Sequence, residues 1–182
     1  MYVGEILSQL FLFFEEKLDT ALQNQKKQIS EELKFYVLNI LCNNIIDSFS
    51  SGERVYLFDL YQQSTSGSKL EREIKLKRLG DYTIINTGCF TPRVINSING
   101  IDYYISMGKS AYESAGIVSE KEIYQKISDN FLNIVSLLNE AYEVTHSFDR
   151  RDLFKIHSAW KSTKSIPIGN FLIKNGILLQ GN

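Results

Sequence analysis

The sequence predicts an all-α protein, a single domain of six to eight helices over residues 1–182, and three observations support this prediction. Apolar residues recur every three to four positions over long stretches, which is the period of an amphipathic helix. Only two prolines occur, Pro92 and Pro167, and glycines lie mainly between the periodic segments. A chain of 182 residues is also the usual length of one domain with a substantial core.

Composition argues against several special classes of protein. Apolar residues make up 43% and charged residues 23%, and the net charge of -1 gives no overall attraction to nucleic acid or to an anionic membrane. Neither Cys42 nor Cys89 lies in a metal-binding or disulfide pattern, so we expect a reducing, cytoplasmic environment. The N-terminal segment lacks the features of a secretory signal.

The N-terminal segment is rich in phenylalanine and predicts a helix over residues 4–23. Its longest apolar run, residues 10–14, is far shorter than the roughly 20 residues of a membrane span, so we expect no integral membrane insertion. Peripheral contact with a membrane is the alternative for this face. It is disfavoured because interfacial helices usually carry Lys and Arg on the polar side, and this one carries acids.

The next three helices are delimited by caps and breaks. Ser30 with Glu31 and Glu32 predicts the start of a second helix that ends near "SFSSG". A short helix is expected in "ERVYLFDLYQQ", a loop at residues 64–68, and a further helix from Lys69. Residues 82–90 contain β-branched residues typical of a strand. We predict helix there, because no partner strand exists for the backbone groups.

The C-terminal half predicts five more helical segments. Thr91 and Pro92 indicate a helix start, and a helix through residues 100–116 would end at Gly116. Ser119 and Glu122 suggest a capping box for one long helix reaching Ala141. Asp149 would cap a helix containing Trp160, and a last helix covers residues 167–175. The predicted core comprises Phe11, Phe14, Val37, Ile40, Leu41, Ile74, Tyr104, Ile127, Phe131, Ile134 and Leu138.

The segment "GIDYYISMGKSAYESAG" admits two interpretations. Gly108, Ala111 and Ala115 place small side chains on one face of a helix, where a second helix can approach closely. Glycine inside a helix costs about 1 kcal/mol relative to alanine, so a Cβ at Gly108 should clash with a neighbour. We favour a tight helix crossing. The alternative is a ligand-binding pocket at Gly108 rimmed by Tyr103, Tyr104 and Tyr112.

The C-terminal third carries an excess of cations that suggests a second binding hypothesis. Arg150, Arg151, Lys155, Lys161, Lys164 and Lys174 are opposed, between positions 150 and 174, by Asp152 alone. Such a surface is typical of proteins that bind nucleic acid or an acidic partner. No RNA- or DNA-binding motif accompanies it. The favoured interpretation is that these cations simply solvate the outer faces of two helices.

The sequence offers few groups for catalysis. Glu143 and His146 have the Glu-x-x-His spacing of di-iron bundles, but the second such pair is missing, and His157 is the only other histidine. Cys89 precedes a predicted helix start, where a thiol pKa can fall, but a buried structural thiol is favoured. Cys42 is expected in the core. We therefore predict no catalytic residue, no metal and no cofactor, and we lean against an enzyme.

Three segments, "EELKFYVLNIL" (31–41), "KRLGDYTIINTGCF" (77–90) and "DYYISMGKSAY" (102–112), together resemble a family of uncharacterised bacterial proteins. The resemblance covers about half of the chain and implies a mostly helical fold. It implies no activity and no functional residue. We expect a non-enzymatic cytoplasmic adaptor or regulator that acts through a protein partner or as a homo-oligomer. The alternatives are nucleic-acid binding through the basic C-terminal surface, and ligand binding or catalysis in the tyrosine-rimmed pocket.

Overall fold

The computed structural model describes residues 3–50 and 57–179 of the chain. These residues form ten α-helices and two short 3-10 turns, and the described ranges contain no strand, so the all-α prediction is confirmed with more helices than expected. The helices are α1 (Val3–Gln25), α2 (Glu31–Ser50), α3 (Leu57–Ser64), α4 (Lys69–Cys89), α5 (Thr91–Ile95), α6 (Gly100–Ser119), α7 (Glu122–Asp129), α8 (Phe131–Ala141), α9 (Leu153–Thr163) and α10 (Ile166–Lys174).

Helix α4 lies at the centre of the fold and contacts α2, α3, α5, α6 and α8. It runs antiparallel to α6, because Lys69 at its start pairs with Glu120 just after the end of α6. Its C-terminal half is buried from Thr83 to Cys89. The prediction of helix for residues 82–90 is therefore confirmed, and the hydroxyl of Thr87 donates to the carbonyl of Thr83 within the helix.

The main hydrophobic core is formed by α1, α2, α4, α6, α7 and α8. Most of the predicted core residues are buried, and Phe11 and Tyr104 are half-buried. Ile74 is a wrong prediction, because its side chain is 57% exposed. Asp81 lies seven residues after Ile74 in α4 and accepts a hydrogen bond from Tyr36 of α2. Ile74 lies outside this contact between α2 and α4 and faces solvent.

The end of α6 and the start of α7 differ from the prediction. Helix α6 continues past Gly116 to Ser119 and ends where Glu120 adopts a left-handed conformation, with φ 62°. Ser119 and Glu122 form no capping box. The Ser119 hydroxyl donates to the carbonyl of Ala115, and Lys121 is the N-cap of α7. The hydroxyl is thus used inside the preceding helix, which sequence spacing does not reveal.

The long helix predicted between residues 119 and 141 is divided at Asn130 into α7 and α8. The Asn130 side chain donates to the carbonyl of Lys126. A capping box does occur at Ser68 and Glu71, where the serine and glutamate side chains each accept a backbone N–H at the start of α4. The described part of the short third helix is Leu57–Ser64, and the remainder of that prediction, residues 53–56, lies outside the described residues.

Every helix within the described ranges is too short or too polar to cross a lipid bilayer.

Candidate functional site

The crossing of α4 and α6 is tight because a glycine of each helix lies against a side chain of the other, and Phe131 of α8 closes the space beside Gly108. A Cβ at Gly108 would lie 2.2 Å from the Thr83 hydroxyl oxygen and 2.6 Å from the Phe131 ring. A Cβ at Gly80 would lie 2.8 Å from the Tyr112 ring. The structure therefore shows the close helix approach that the small residues of α6 predict.

The four residues of the hypothetical tyrosine-rimmed pocket lie in different environments. Tyr112 is completely buried, and the space beside Gly108 is occupied by Thr83 and Phe131. Tyr103 and Tyr104 are half-buried and pack against a separate cluster formed by α3, α4 and α6. A ligand would reach Gly108 only by displacing core side chains.

Asp81 is a half-buried acceptor that joins three helices. Its Oδ1 accepts hydrogen bonds from the hydroxyls of Tyr36, at 2.9 Å, and Tyr112, at 2.8 Å. Its Oδ2 pairs with Lys77, whose Nζ also lies 5.2 Å from the centre of the Tyr36 ring. Burial, together with the Asp81 charge, raises the pKa of both tyrosines, so both remain protonated donors.

Glu73 is a second carboxylate of α4 with several partners, eight residues before Asp81. It accepts hydrogen bonds from Lys121 Nζ at 2.6 Å and from the Tyr124 hydroxyl at 2.9 Å. The Lys121 bond, helped by Tyr124, lowers the pKa of Glu73. Sequence reasoning missed both carboxylates, because Glu73 and Asp81 lie in a charged segment that is typical of a solvated helix face.

A surface cleft of about 460 Å³ lies between α1, α8, α10 and the 3-10 turn Val144–Ser147, with Glu140, His146, Phe171 and Lys174 among its lining residues. This volume lies within the range of small-molecule sites. Its carboxylate is already engaged, because Glu140 accepts hydrogen bonds of 2.7 Å from both Asn24 and Gln25. The cleft thus offers a lysine and an exposed histidine among apolar and amide side chains.

The candidate metal and thiol residues have ordinary structural roles. His146 Nδ1 lies 3.2 Å from Glu143 Oε2, and Glu143 also pairs with Lys17. His157 stacks on Trp160. Nowhere in the described ranges do three His, Cys, Asp or Glu side chains cluster as metal ligands would. Cys89 is buried, and burial raises the pKa of its thiol, which disfavours the reactive thiolate.

The predicted basic residues are all exposed, but several are engaged. Arg151 is bound to Asp149, and Lys155 donates to Asn96 Oδ1 at 2.7 Å. Lys164 lies 4.7 Å from the centre of the Trp160 ring. Arg150 and Lys161 form no ion pair with any described residue. The basic surface is therefore partly neutralised by local contacts.

The outer face of α1 carries exposed apolar side chains. Residues 10–14 are five consecutive apolar residues, so in a helix they point in every direction around the axis. Phe14 is buried, whereas Leu12 is 63% and Phe13 is 53% exposed. Phe35 of α2 is 60% exposed, and its ring centre lies 6.0 Å from that of Phe11. We call Leu12, Phe13 and Phe35 the aromatic surface.

No protein-family model, curated protein or solved structure matches this chain. The function is therefore inferred from the side chains and their environments.

Proposed function

We propose that this chain is a non-enzymatic helical interaction protein that docks a protein partner on its aromatic surface. The observation that supports this proposal is the exposure of Leu12 and Phe13 in a helix segment that is apolar on all sides. A helix that is apolar on all sides is normally buried. Only one side of this segment is covered by the described residues, so the outer side is available to another molecule.

The energetics limit these three side chains, taken alone, to a weak interaction. Fully burying a Leu or Phe side chain contributes about 1.5–3 kcal/mol, and these three side chains are already close to half-buried. Covering the rest would yield a few kcal/mol, which is reduced by the entropy lost on association. Aromatic residues are also enriched among the residues that dominate binding energy at protein interfaces. The aromatic surface suits a reversible contact.

The charges around the aromatic surface indicate the chemistry of the partner. Glu5, Glu16 and Glu31 are exposed on the same two helices and form no ion pair with any described residue. They favour an apolar segment flanked by Lys or Arg, and they disfavour an anionic membrane surface. We also propose that the chain is cytoplasmic and that it belongs to the bacterial family that it resembles.

The inward-facing titratable groups have structural partners, which supports a role without catalysis. The Asp81 and Glu73 carboxylates are occupied by tyrosine hydroxyls and lysines, and the thiol of Cys89 is buried. A catalytic group has to reach a substrate in a cavity. These groups instead connect helices to one another.

Site-specific photo-crosslinking tests the proposed docking surface. A photoreactive phenylalanine analogue placed at Leu12 should yield a discrete crosslinked species in cells, and the same analogue at Leu70 should not. Leu70 is the matched control because it is 64% exposed, against 63% for Leu12. If positions 12, 13 and 35 give no more crosslinking than Leu70, the proposed docking surface is wrong.

A further inference from the structure

We infer that the aromatic surface is covered by a second copy of this chain, which docks through the exposed face of α9 in a head-to-tail contact. This inference rests on the proposed function and names its partner.

The exposed face of α9 has the chemistry that the aromatic surface requires. Phe154 is 86% exposed, and Lys161 lies on the same face seven residues later. Arg150 is exposed four residues before Phe154, and Arg150 and Lys161 form no ion pair with any described residue. An apolar side chain is thus flanked on both sides by free cations. We call Phe154 and Lys161 of α9, together with Arg150 of the preceding 3-10 turn Arg150–Asp152, the α9 face.

The aromatic surface is complementary to the α9 face in charge. Some acids of α1 are already neutralised within the chain, because Lys34 forms ion pairs with Glu15 and Asp19. The unpaired acids, Glu5, Glu16 and Glu31, are those left to meet a partner's cations. A two-fold contact of α1 with α1 of another copy would instead place unpaired acids close together, which opposes association.

The two surfaces belong to separate parts of the packing. Helix α1 packs mainly on α2 and α8, whereas α9 packs mainly on α10 and α6. Both surfaces are exposed in the single chain, so they do not cover each other, and a contact between them joins two copies. A contact between two different patches leaves one of each free at the ends, and the assembly grows by addition of further copies unless it closes into a ring.

The exposed size of the surfaces predicts a weak and salt-sensitive assembly. The aromatic surface offers three apolar side chains and three unpaired acids, and the α9 face offers one apolar side chain and two cations. Such small patches are typical of a transient interface rather than an obligate one. Exposed charge pairs are screened at high ionic strength. Self-association should therefore increase with protein concentration and decrease with added salt.

Mixing two singly blocked variants tests the head-to-tail contact. Phe13→Glu blocks the aromatic surface, and the double variant Phe154→Glu, Lys161→Glu blocks the α9 face. By sedimentation velocity at low salt, the wild-type chain should grow in mass with concentration, and each variant alone should remain a monomer. An equimolar mixture should form a species of twice the monomer mass and no larger. The intact α9 face of the Phe13→Glu variant can bind the intact aromatic surface of the other variant, and both remaining patches of that dimer are blocked.

Controls separate assembly from misfolding and from other ligands. Phe58→Glu changes a comparably exposed phenylalanine, 61% against 53% for Phe13, and should assemble like the wild type. All variants should retain the wild-type helical circular-dichroism spectrum, and a blocking variant that does not is replaced by Leu12→Ser or by Lys161→Glu alone. The wild type should not sediment with vesicles containing phosphatidylserine or retard duplex DNA at low salt.

Several results would overturn the inference. These are a wild-type chain that stays monomeric at all concentrations, a mixture that stays monomeric, and self-association of the α9 variant alone, which would indicate a two-fold α1 contact. Binding of vesicles or DNA that is lost in either blocking variant would also overturn it. If the chain is monomeric but crosslinks through Leu12 to a different protein, the proposed function stands and only the second copy is excluded. If crosslinking also fails, both are excluded.

Discussion

At the scale of single residues, Gly108 determines how closely α4 and α6 approach. A Cβ at this position would meet Thr83 at 2.2 Å and Phe131 at 2.6 Å, and both neighbours are completely buried and cannot retreat into solvent. Inserting one methyl group into a packed core costs about 1–3 kcal/mol. This glycine is therefore required by packing.

We predict that Gly108→Ala lowers the free energy of unfolding by about 1–3 kcal/mol, measured by urea denaturation. Gly116 is the control in the same helix, since the nearest atom to its Cβ would be at 3.7 Å. Gly116→Ala should be neutral or stabilising by up to about 1 kcal/mol, because alanine favours helix. Equal effects of the two substitutions would contradict the crossing.

Glu73 gives a pH-dependent prediction at the same scale. Because Lys121 lowers the pKa of Glu73 in the folded chain, its stabilising contribution is present above the unfolded pKa of about 4.3. That contribution is lost as the pH falls through the lower, folded pKa. Hydrogen bonds to a charged group contribute about 1.5–3 kcal/mol.

We therefore expect Glu73→Gln to be less stable than the wild type by about 1–3 kcal/mol at pH 7, and the difference should shrink below about pH 4. Urea denaturation at several pH values measures it. Glu122→Gln, at an exposed position of α7, should differ from the wild type by less than about 0.5 kcal/mol throughout. A Glu73→Gln difference that does not change with pH would show that the carboxylate contributes no charge-dependent stability.

At the scale of elements, Asn139 joins four helices through one buried side chain. Its Nδ2 donates to the Gly88 carbonyl and to the Thr91 hydroxyl, both at 2.7 Å, and its Oδ1 accepts from the Ser165 hydroxyl at 2.7 Å. Ser165 is the N-cap of α10, and Thr91 begins α5. The side chain thus fixes α10 and α5 relative to α8 and the end of α4.

We predict that Asn139→Ala lowers the free energy of unfolding by about 2–3 kcal/mol, because buried polar partners lose their hydrogen bonds. Asn133 lies exposed on the same helix, α8, and Asn133→Ala should change stability by less than about 0.5 kcal/mol. Thermal or urea unfolding of the two variants gives the comparison. A loss at Asn139 no greater than that at Asn133 would show that the network does not stabilise the fold.

Element type was predictable from the sequence, whereas some element ends were not. The helix over residues 82–90 was predictable because an isolated strand would leave its backbone groups unpaired. The break at Asn130 and the extension of α6 to Ser119 were not, since they depend on local side-chain hydrogen bonds from Asn130 and Ser119. Periodicity shows which side of a helix is apolar, but it does not show how far along that side a neighbouring helix extends. Ile74 lies on the apolar side of α4 and is nevertheless exposed.

At the scale of the whole molecule, charge and apolar exposure are distributed unevenly. Three unpaired acids, Glu5, Glu16 and Glu31, lie on α1 and α2 with the aromatic surface, and two unpaired cations, Arg150 and Lys161, lie beside Phe154. The sequence indicated the phenylalanine-rich face and the basic C-terminal third separately. Their relation depends on which charges are paired inside the chain, for example Lys34 with Asp19, and folding determines that pairing.

Hydroxyl-radical footprinting tests most directly whether the outer face of α1 is an interface, because it reports the solvent exposure of individual side chains. On raising the concentration of the wild-type chain at low salt, oxidation of Leu12, Phe13 and Phe35 should fall together with that of Phe154. Oxidation of Leu70, which is equally exposed in the single chain, should not change. Oxidation of Leu12 and Phe13 that stays as high as that of Leu70 at every concentration would contradict an interface between copies of this chain.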